Sequence, residues 1–133
     1  MSTEKTHEKV PLVYSCSGCS NAAQMTNYLA LKMTRREIAE MSCIAGIGGD
    51  VKPLVRKAKE AKAAKETKET RDIIALDGCH LSCVKSCLAK HNITPDHHFI
   101  LSEFGIKKKN NEDFDLAEAD KIFAQILSEI DKK

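Results

Sequence analysis

Six cysteines carry most of the chemistry that this sequence could perform. They fall in three short segments that contain Cys16 and Cys19, then Cys43, and finally Cys79, Cys83 and Cys87. Cysteine thiolates bind soft metal ions and act as nucleophiles, whereas protonated thiols pack as small apolar groups. The sulfurs could therefore form a metal site, a disulfide or thiol relay, or part of an apolar core.

Length and composition are those of a globular protein. The chain has 133 residues, of which 42% are hydrophobic, so it can bury a core without disulfides or a metal. We predict a single domain over residues 1–133. Residues 1–10 are polar and read as a flexible tail, residues 11–105 form the cysteine-bearing core, and residues 114–133 form a closing helix.

Charge and hydropathy limit the cellular location and the classes of partner that we expect for this protein. No apolar stretch approaches the ~18 residues that cross a bilayer, and the polar start does not resemble a signal peptide. We therefore predict a cytoplasmic protein, in which the thiols are kept reduced. The net charge is only +2, with no Trp and two Tyr, so we expect neither nucleic acid nor a membrane as partner. The sequence does not identify a protein partner.

Hydrophobic spacing predicts strands and helices in alternation. Strands are predicted at 11–14, 38–47, 72–76 and 99–101. Helices are predicted from residue 22, with Ser20 or Asn21 as N-cap, from residue 53, over 79–91, and over 114–133, where Asp115 and Glu118 mark the start. This order indicates a small three-layer α/β/α domain of flavodoxin or Rossmann type. Its four-stranded sheet is expected to be mainly parallel, in the order 2-1-3-4.

In that architecture the cysteines converge. Cys16 and Cys19 follow the first strand, Cys43 lies near the end of the second, and Cys79 follows the third. Ligands of open α/β sheets bind just outside the carboxyl ends of the strands. We therefore predict a metal ion as ligand at this edge, held by cysteines from the set Cys16, Cys19, Cys43, Cys79 and Cys83.

Helix geometry separates the last three cysteines. On a helix over 79–91, Cys79 and Cys83 are one turn apart, but Cys87 lies ~12 Å from Cys79 along the axis. Sulfurs around one zinc ion are less than about 4.6 Å apart. Cys87 is therefore a packing residue or a group that supports the metal ligands from outside, and it is a ligand only if the helix starts late or the centre is a larger cluster.

Thiol chemistry remains an alternative to metal binding. Cys19 and Cys79 would sit at helix N-termini, which favour a negatively charged sulfur, and these two are the candidate catalytic residues. Asp77 could cap the helix or orient Cys79, and capping is the simpler role. We expect His80 on the surface, and His97 and His98 at the amino end of the fourth strand, on the wrong edge for the site.

The three cysteine segments resemble a known family. "YSCSGCSN", "MSCIAGIGG" and "ALDGCHLSCVKSC" are similar, in order, to the cysteine segments of the DGC-domain family, small prokaryotic proteins described as candidate zinc binders. The resemblance implies zinc held by four cysteines, which by position are Cys16, Cys43, Cys79 and Cys83, with Cys19 next. The sequence departs from the family at His80, where proline is favoured.

Our leading hypothesis is a cytoplasmic, cysteine-ligated zinc protein whose biochemical role stays unassigned. A [4Fe–4S] cluster could use the same thiolates. A thiol-dependent redox or sulfur-transfer enzyme is the other alternative, although no phosphate loop, nucleophile elbow or paired carboxylates support a conventional active site.

Overall fold

A computed structural model describes residues 10–63 and 70–132. Four parallel strands form one sheet: β1 (Leu12–Ser15), β2 (Glu40–Met41), β3 (Ile73–Asp77) and β4 (His97–Ile100). Their order is β2-β1-β3-β4. The predicted α/β class, the parallel sheet and the strand order are confirmed.

Helices connect the strands and follow the last one. They are α1 (Asn21–Arg35), α2 (Ile44–Gly48), α3 (Lys52–Ala63), α4 (Cys83–Ala89) and α5 (Leu116–Asp131), with a short 3-10 helix over Leu101–Phe104. Within the described ranges, no helix combines the length and the apolar composition that a bilayer crossing requires. The predicted tail lies outside the described residues, except for Val10.

The sheet is covered on both faces because successive strand residues point in opposite directions. Val13, Ile74 and Leu76 pack with α1 and α5, in a core that includes Met25 and Phe123. The opposite face packs with α2, α3 and α4, through Leu12, Tyr14, Ile73, Ile47, Ala58 and Leu88. The three-layer arrangement therefore follows from alternation within β1 and β3.

Two helix starts match their sequence signals. Ser20 is the N-cap of α1, and its Oγ accepts a hydrogen bond from the Ala23 amide at 3.0 Å. Asp115 is the N-cap of α5, and its Oδ2 accepts from the Glu118 amide at 2.9 Å. Each cap satisfies an amide that has no partner within the helix.

The predicted second strand over 38–47 is wrong for most of its length. Only Glu40–Met41 pairs with β1, and Ile44–Gly48 forms helix α2 instead. A short apolar run fits a buried strand and a buried helical turn equally well, because periodicity does not separate the two. In the structure the Ile47 amide donates to the Cys43 carbonyl at 3.3 Å, as in a helix, and Ile47 packs into the core.

The helix that carries the last cysteines starts four residues later than predicted. Helix α4 covers Cys83–Ala89, and Ser82 before it has a left-handed φ of 53°. The Asp77 carboxylate accepts hydrogen bonds from the Val84 amide at 2.8 Å and the Lys85 amide at 3.3 Å. These bonds satisfy the first turn, so the Asp77 capping role is the one observed.

Charged side chains tie the amino ends of three strands together. Arg71, just before β3, donates from Nε to the Val10 carbonyl at 2.7 Å and from a terminal nitrogen to Glu40 at 2.8 Å. Lys57 of α3 also donates to Glu40. Burial alone would raise the pKa of Glu40, but the hydrogen bonds from Lys57 and Arg71 outweigh burial and lower it.

Candidate functional site

A cleft of about 260 Å³ lies at the carboxyl ends of β1 and β3. Four cysteines from two distant segments line it: Cys16, Cys19, Cys79 and Cys83. β1 ends at Ser15 and β3 ends at Asp77, and the two strands are neighbours in the sheet. Their parallel pairing therefore carries both cysteine segments to the same edge.

Cys16 is the buried member of this group, with 9% of its surface exposed. Its sulfur accepts a hydrogen bond from the Gly78 amide at 3.3 Å and lies 3.4 Å from Thr26 Oγ1. Burial raises the pKa of the Cys16 thiol, and the contacts with Thr26 and Gly78 offset that effect only in part. Cys16 is thus the most buried of the four cleft thiols.

Two glycines allow the cysteine segments to approach helix α1. Gly18, between Cys16 and Cys19, has φ of 143°, which side chains rarely adopt. A Cβ on Gly78 would lie 3.0 Å from the carbonyl carbon and the Cβ of Ala22. A side chain at Gly78 would therefore push the Cys79 segment away from α1.

Cys79 is half-buried, and a lysine from far along the chain contacts it. Lys108 Nζ donates toward Cys79 Sγ at 3.5 Å. Sequence reasoning missed Lys108, because the run at 107–109 reads only as a polar loop. No local signal could have identified the contact, since it spans 29 residues.

Asp77 connects the cleft to the fourth strand. It is 1% exposed, and its Oδ2 lies 2.8 Å from Nε2 of His98. β4 begins at His97, two residues before the predicted strand, and His98 pairs in register with Ala75. His98 lies in the amino-terminal half of β4 and does not line the cleft, as predicted, but its ring contacts Asp77, which does line it.

The helical start at Cys83 changes the relation among the last cysteines. Cys79 precedes α4 and is not at its N-terminus, while Cys83 and Cys87 are one helical turn apart. Cys83 is exposed, and Cys87 is half-buried against the core on the sheet face that α2, α3 and α4 cover, called the α2–α4 core below. Burial raises the pKa of the Cys87 thiol. Cys87 does not line the cleft.

The remaining candidates lie elsewhere. Cys43 occupies the N-cap position of α2, is exposed, and is absent from the lining of the cleft, contrary to our expectation of a shared crevice. His80 is on the surface, with 68% of its side chain exposed. His97 Nε2 lies 3.3 Å from Asp72, near the amino end of the sheet.

The donor chemistry of the cleft fits a thiolate-bound metal, since zinc and iron–sulfur clusters are both held by four cysteines. The side chains are not gathered into a closed set. Across residues 10–63 and 70–132, no three His, Cys, Asp or Glu side chains are grouped closely enough to hold an ion. Metal ligation by these cysteines therefore stays a prediction.

Comparison with known families matches residues 12–126 to the DGC domain. This chain belongs to the DGC-domain family. A relative of this DGC-domain protein is the anaerobic and virulence modulator AnvM of Pseudomonas aeruginosa, 50% identical over 119 residues. The alignment covers 90% of this chain and 84% of AnvM. No solved structure matches the chain.

Proposed function

We propose that this DGC-domain protein binds a metal ion, with zinc first, through Cys16, Cys19, Cys79 and Cys83. The observation that supports the proposal is that these four thiols, from two segments far apart in sequence, line one cleft. Thiolate-rich tetrahedral sites suit zinc, which has no geometric preference of its own. Cys43 and Cys87, outside the cleft lining, are left out of the ligand set.

Charge and hydrogen bonding around the cleft support thiolate ligands. Four thiolates and one zinc ion leave a net charge of about −2. Lys108, 3.5 Å from Cys79 Sγ, would offset part of that charge, and the Gly78 amide already donates to Cys16 Sγ. Outer hydrogen bonds of this kind orient the ligands and tune a metal site. Loss of the Cys16 proton is driven by the ion itself.

Binding would require the exposed thiols to turn inward. Cys19 and Cys83 are exposed, whereas Cys16 is fixed by its buried contacts. Gly18 precedes Cys19 and left-handed Ser82 precedes Cys83, so each ligand follows a residue at a sharp turn. A bound zinc would supply a cross-link between the loops that follow β1 and β3.

The first experiment measures metal content after anaerobic purification. We expect about one zinc per chain, and replacement of Cys79 by Ser should lower its affinity by at least about tenfold, since metal binding depends on the ligand count. Cys43→Ser is the matched control, because Cys43 is also an exposed thiol but lies outside the cleft. Wild-type protein without metal, or equal zinc loss in both variants, would contradict the proposal. Iron in the purified protein, with broad visible absorption, would instead identify the bound group as an iron–sulfur cluster.

The contact between Lys108 and Cys79 favours a second candidate function, thiol–disulfide exchange. In such a reaction the Cys79 thiolate attacks a substrate disulfide, and the substrate S–S bond breaks with release of one thiolate. A second cleft cysteine, Cys19 or Cys83, then attacks the mixed disulfide and releases the other substrate thiol. The substrate disulfide is reduced to two thiols, and the cleft dithiol is oxidised to a disulfide.

Alkylation separates the two candidates. Exchange predicts at least one rapidly alkylated cleft cysteine in the protein as isolated, followed by a mixed disulfide on addition of oxidised glutathione. Metal ligation predicts that Cys19, Cys79 and Cys83 resist alkylation until a chelator is added. Resistance before chelation would argue against the exchange function.

The relative AnvM is named an anaerobic and virulence modulator. We infer a comparable modulating role for this chain, in the cytoplasm, because thiolate sites are sensitive to oxidation. Expression of the chain in a Pseudomonas aeruginosa strain that lacks AnvM tests the inference. Restoration by wild type, but not by Cys79→Ser, of the anaerobic properties that change when AnvM is absent would support it, and failure of both at equal protein levels would contradict it.

A further inference from the structure

Lys108 carries the only positive charge among the described residues that line the cleft. Asp77 is the other charged lining residue, but it is 1% exposed, and both of its oxygens accept hydrogen bonds from the start of α4. Its Oδ2 also lies 2.8 Å from His98 Nε2. A small molecule that enters the cleft therefore meets thiols and one cation.

Hydrogen bonds from Asn21 hold the backbone of the loop on both sides of Lys108. Asn21, the first residue of α1, donates from Nδ2 to the Lys107 carbonyl at 2.9 Å and accepts at Oδ1 from the Lys109 amide at 2.6 Å. The backbone N–H of Asn21 also donates to the Lys109 carbonyl at 3.0 Å. The residues on both sides of Lys108 are thus fixed to the helix that follows Cys19.

A further pair of bonds fixes the same loop to the cysteine segment. The Asn111 amide donates to the Cys19 carbonyl at 3.0 Å, and Gln24 Nε2 donates to the Glu112 carbonyl at 3.2 Å. Asn110 forms a bridge with Ser20 and lines the cleft. The loop over 107–112 is therefore one wall of the site.

We propose that Lys108 makes the cleft select small, negatively charged molecules that react with or bind sulfur at Cys79, and that Asn21 is its positioning residue. The proposal deepens the second candidate function, thiol chemistry at Cys79, and rests on the cleft being the functional site. A carboxylate that pairs with Lys108 Nζ brings its neighbouring atoms next to Cys79 Sγ, because the two protein atoms are 3.5 Å apart. A neutral molecule of the same size gains nothing from the ammonium group.

Iodoacetate and iodoacetamide form a matched pair of probes for this selectivity. In both reactions the cysteine sulfur forms a bond to the methylene carbon, the carbon–iodine bond breaks, and iodide leaves. The reagents are similar in size but only iodoacetate is charged. The ratio of their rate constants at one cysteine therefore isolates the preference for an anion from the general reactivity of the thiol.

The experiment uses the full chain, reduced and treated with a chelator, with rates resolved for each cysteine by peptide mass spectrometry. We expect a higher iodoacetate-to-iodoacetamide ratio at Cys79 than at exposed Cys43. Lys108→Met should lower the Cys79 ratio about fourfold, the effect of two unit charges about 5 Å apart in water. Added salt should shrink the wild-type preference, because it screens exposed charges.

Two lysine controls define the role of the charge and its position. Lys108→Arg should keep the ratio, whereas Lys107→Met removes a charge from the same loop and should leave the ratio near the wild-type value. Asn21→Ala should lower the ratio without removing a charge, because Lys108 loses its fixed position. Circular dichroism of each variant establishes that the fold is retained.

An equal ratio at Cys79 and Cys43 in wild type, unchanged by Lys108→Met, would overturn the proposal. An equal decrease in Lys107→Met and Lys108→Met would also overturn it, since the effect would then be general charge. The measurement is made on metal-free protein. Absence of zinc would therefore contradict metal binding without changing the alkylation ratio at Cys79. An alkylation ratio that overturns the proposal would likewise leave the zinc measurement unaffected.

Discussion

The two ends of the parallel sheet differ in chemistry. At the amino end, Arg71 connects Val10 and Glu40 across β1 and β2, and Lys57 adds a second cation to Glu40. At the carboxyl end, four cysteines surround a cleft of about 260 Å³. The first end is closed by paired charges, whereas the second presents thiols to a space that solvent or a ligand can enter.

This difference indicates a division of roles between stability and function. A parallel α/β sheet collects loops and helix starts at its carboxyl end, where ligands bind. The amino end is free of that task and can be occupied by ion pairs. Substitutions at the amino end should therefore change stability alone, and substitutions at the carboxyl end should also change thiol reactivity.

The largest effect is expected for Asp77, which belongs to both tasks. Asp77→Ala should lower the free energy of unfolding by about 3 kcal/mol, because the first turn of α4 and His98 lose a buried acceptor. Chemical denaturation measures this loss. Alkylation of Cys83 should become faster in the same variant, because the start of α4 is released.

Asp115→Ala is the matched control for this variant, because Asp115 is also a helix-capping aspartate but is exposed and does not line the cleft. Its loss should cost about 1 kcal/mol and leave cysteine reactivity unchanged. An equal decrease in the free energy of unfolding in the two variants would contradict the role assigned to Asp77.

The next effect is expected at the amino end. Arg71→Met should lower the free energy of unfolding by about 1–2 kcal/mol, because the Val10 carbonyl and Glu40 each lose a hydrogen bond. The iodoacetate-to-iodoacetamide ratio at Cys79 should not change. A change in that ratio would show that the two ends are coupled and would break the comparison.

A smaller, pH-dependent effect is expected for Glu40. Its pKa is lowered in the fold, so the unfolded chain binds more protons, and the stability that Glu40 contributes is present above its ordinary pKa of about 4.3. That contribution is lost as the pH falls through the lower folded pKa. Urea denaturation between about pH 5 and 3 should show a shallower decline for Glu40→Gln than for wild type.

Glu129→Gln is the control for the pH series, because Glu129 pairs with Lys132 at 3.5 Å on an exposed surface. Exposed pairs contribute little to stability. The pH dependence of this variant should match that of wild type, and a matching curve for Glu40→Gln would contradict the role of Glu40.

The smallest effect is expected for Cys87. Cys87→Ala removes a half-buried sulfur from the α2–α4 core and should cost less than about 1 kcal/mol. Metal content and the iodoacetate-to-iodoacetamide ratio at Cys79 should remain at wild-type values. Zinc loss on this substitution would show that the site extends one helical turn beyond the cleft.

Sequence patterns predicted the sheet and most of its flanking elements because each depends on local periodicity or a local cap. Alternating strands and helices led to the parallel order, and Ser20 and Asp115 marked helix starts by residue type. The segment from Ile38 to Ile47 was assigned wrongly because a short apolar run leaves strand and helix undecided.

The candidate site was predicted in part for the same reason. Cys16 and Cys79 follow strands that proved to be neighbours, so their shared edge followed from topology. Helix α4 begins at Cys83 because the side chain of Asp77, six positions earlier, satisfies its amides. Spacing alone therefore placed Cys79 on a helix that it only precedes.

The amino-acid sequence by itself determined the family, the alternation of strands and helices, and the supply of six thiols. Only the tertiary structure decided which thiols share a cleft, that Lys108 lies beside Cys79, and that His98 reaches Asp77. Periodicity and caps are encoded within a few residues. Contacts across 21 or 29 positions depend on how loops are fixed by hydrogen bonds after the sheet has formed.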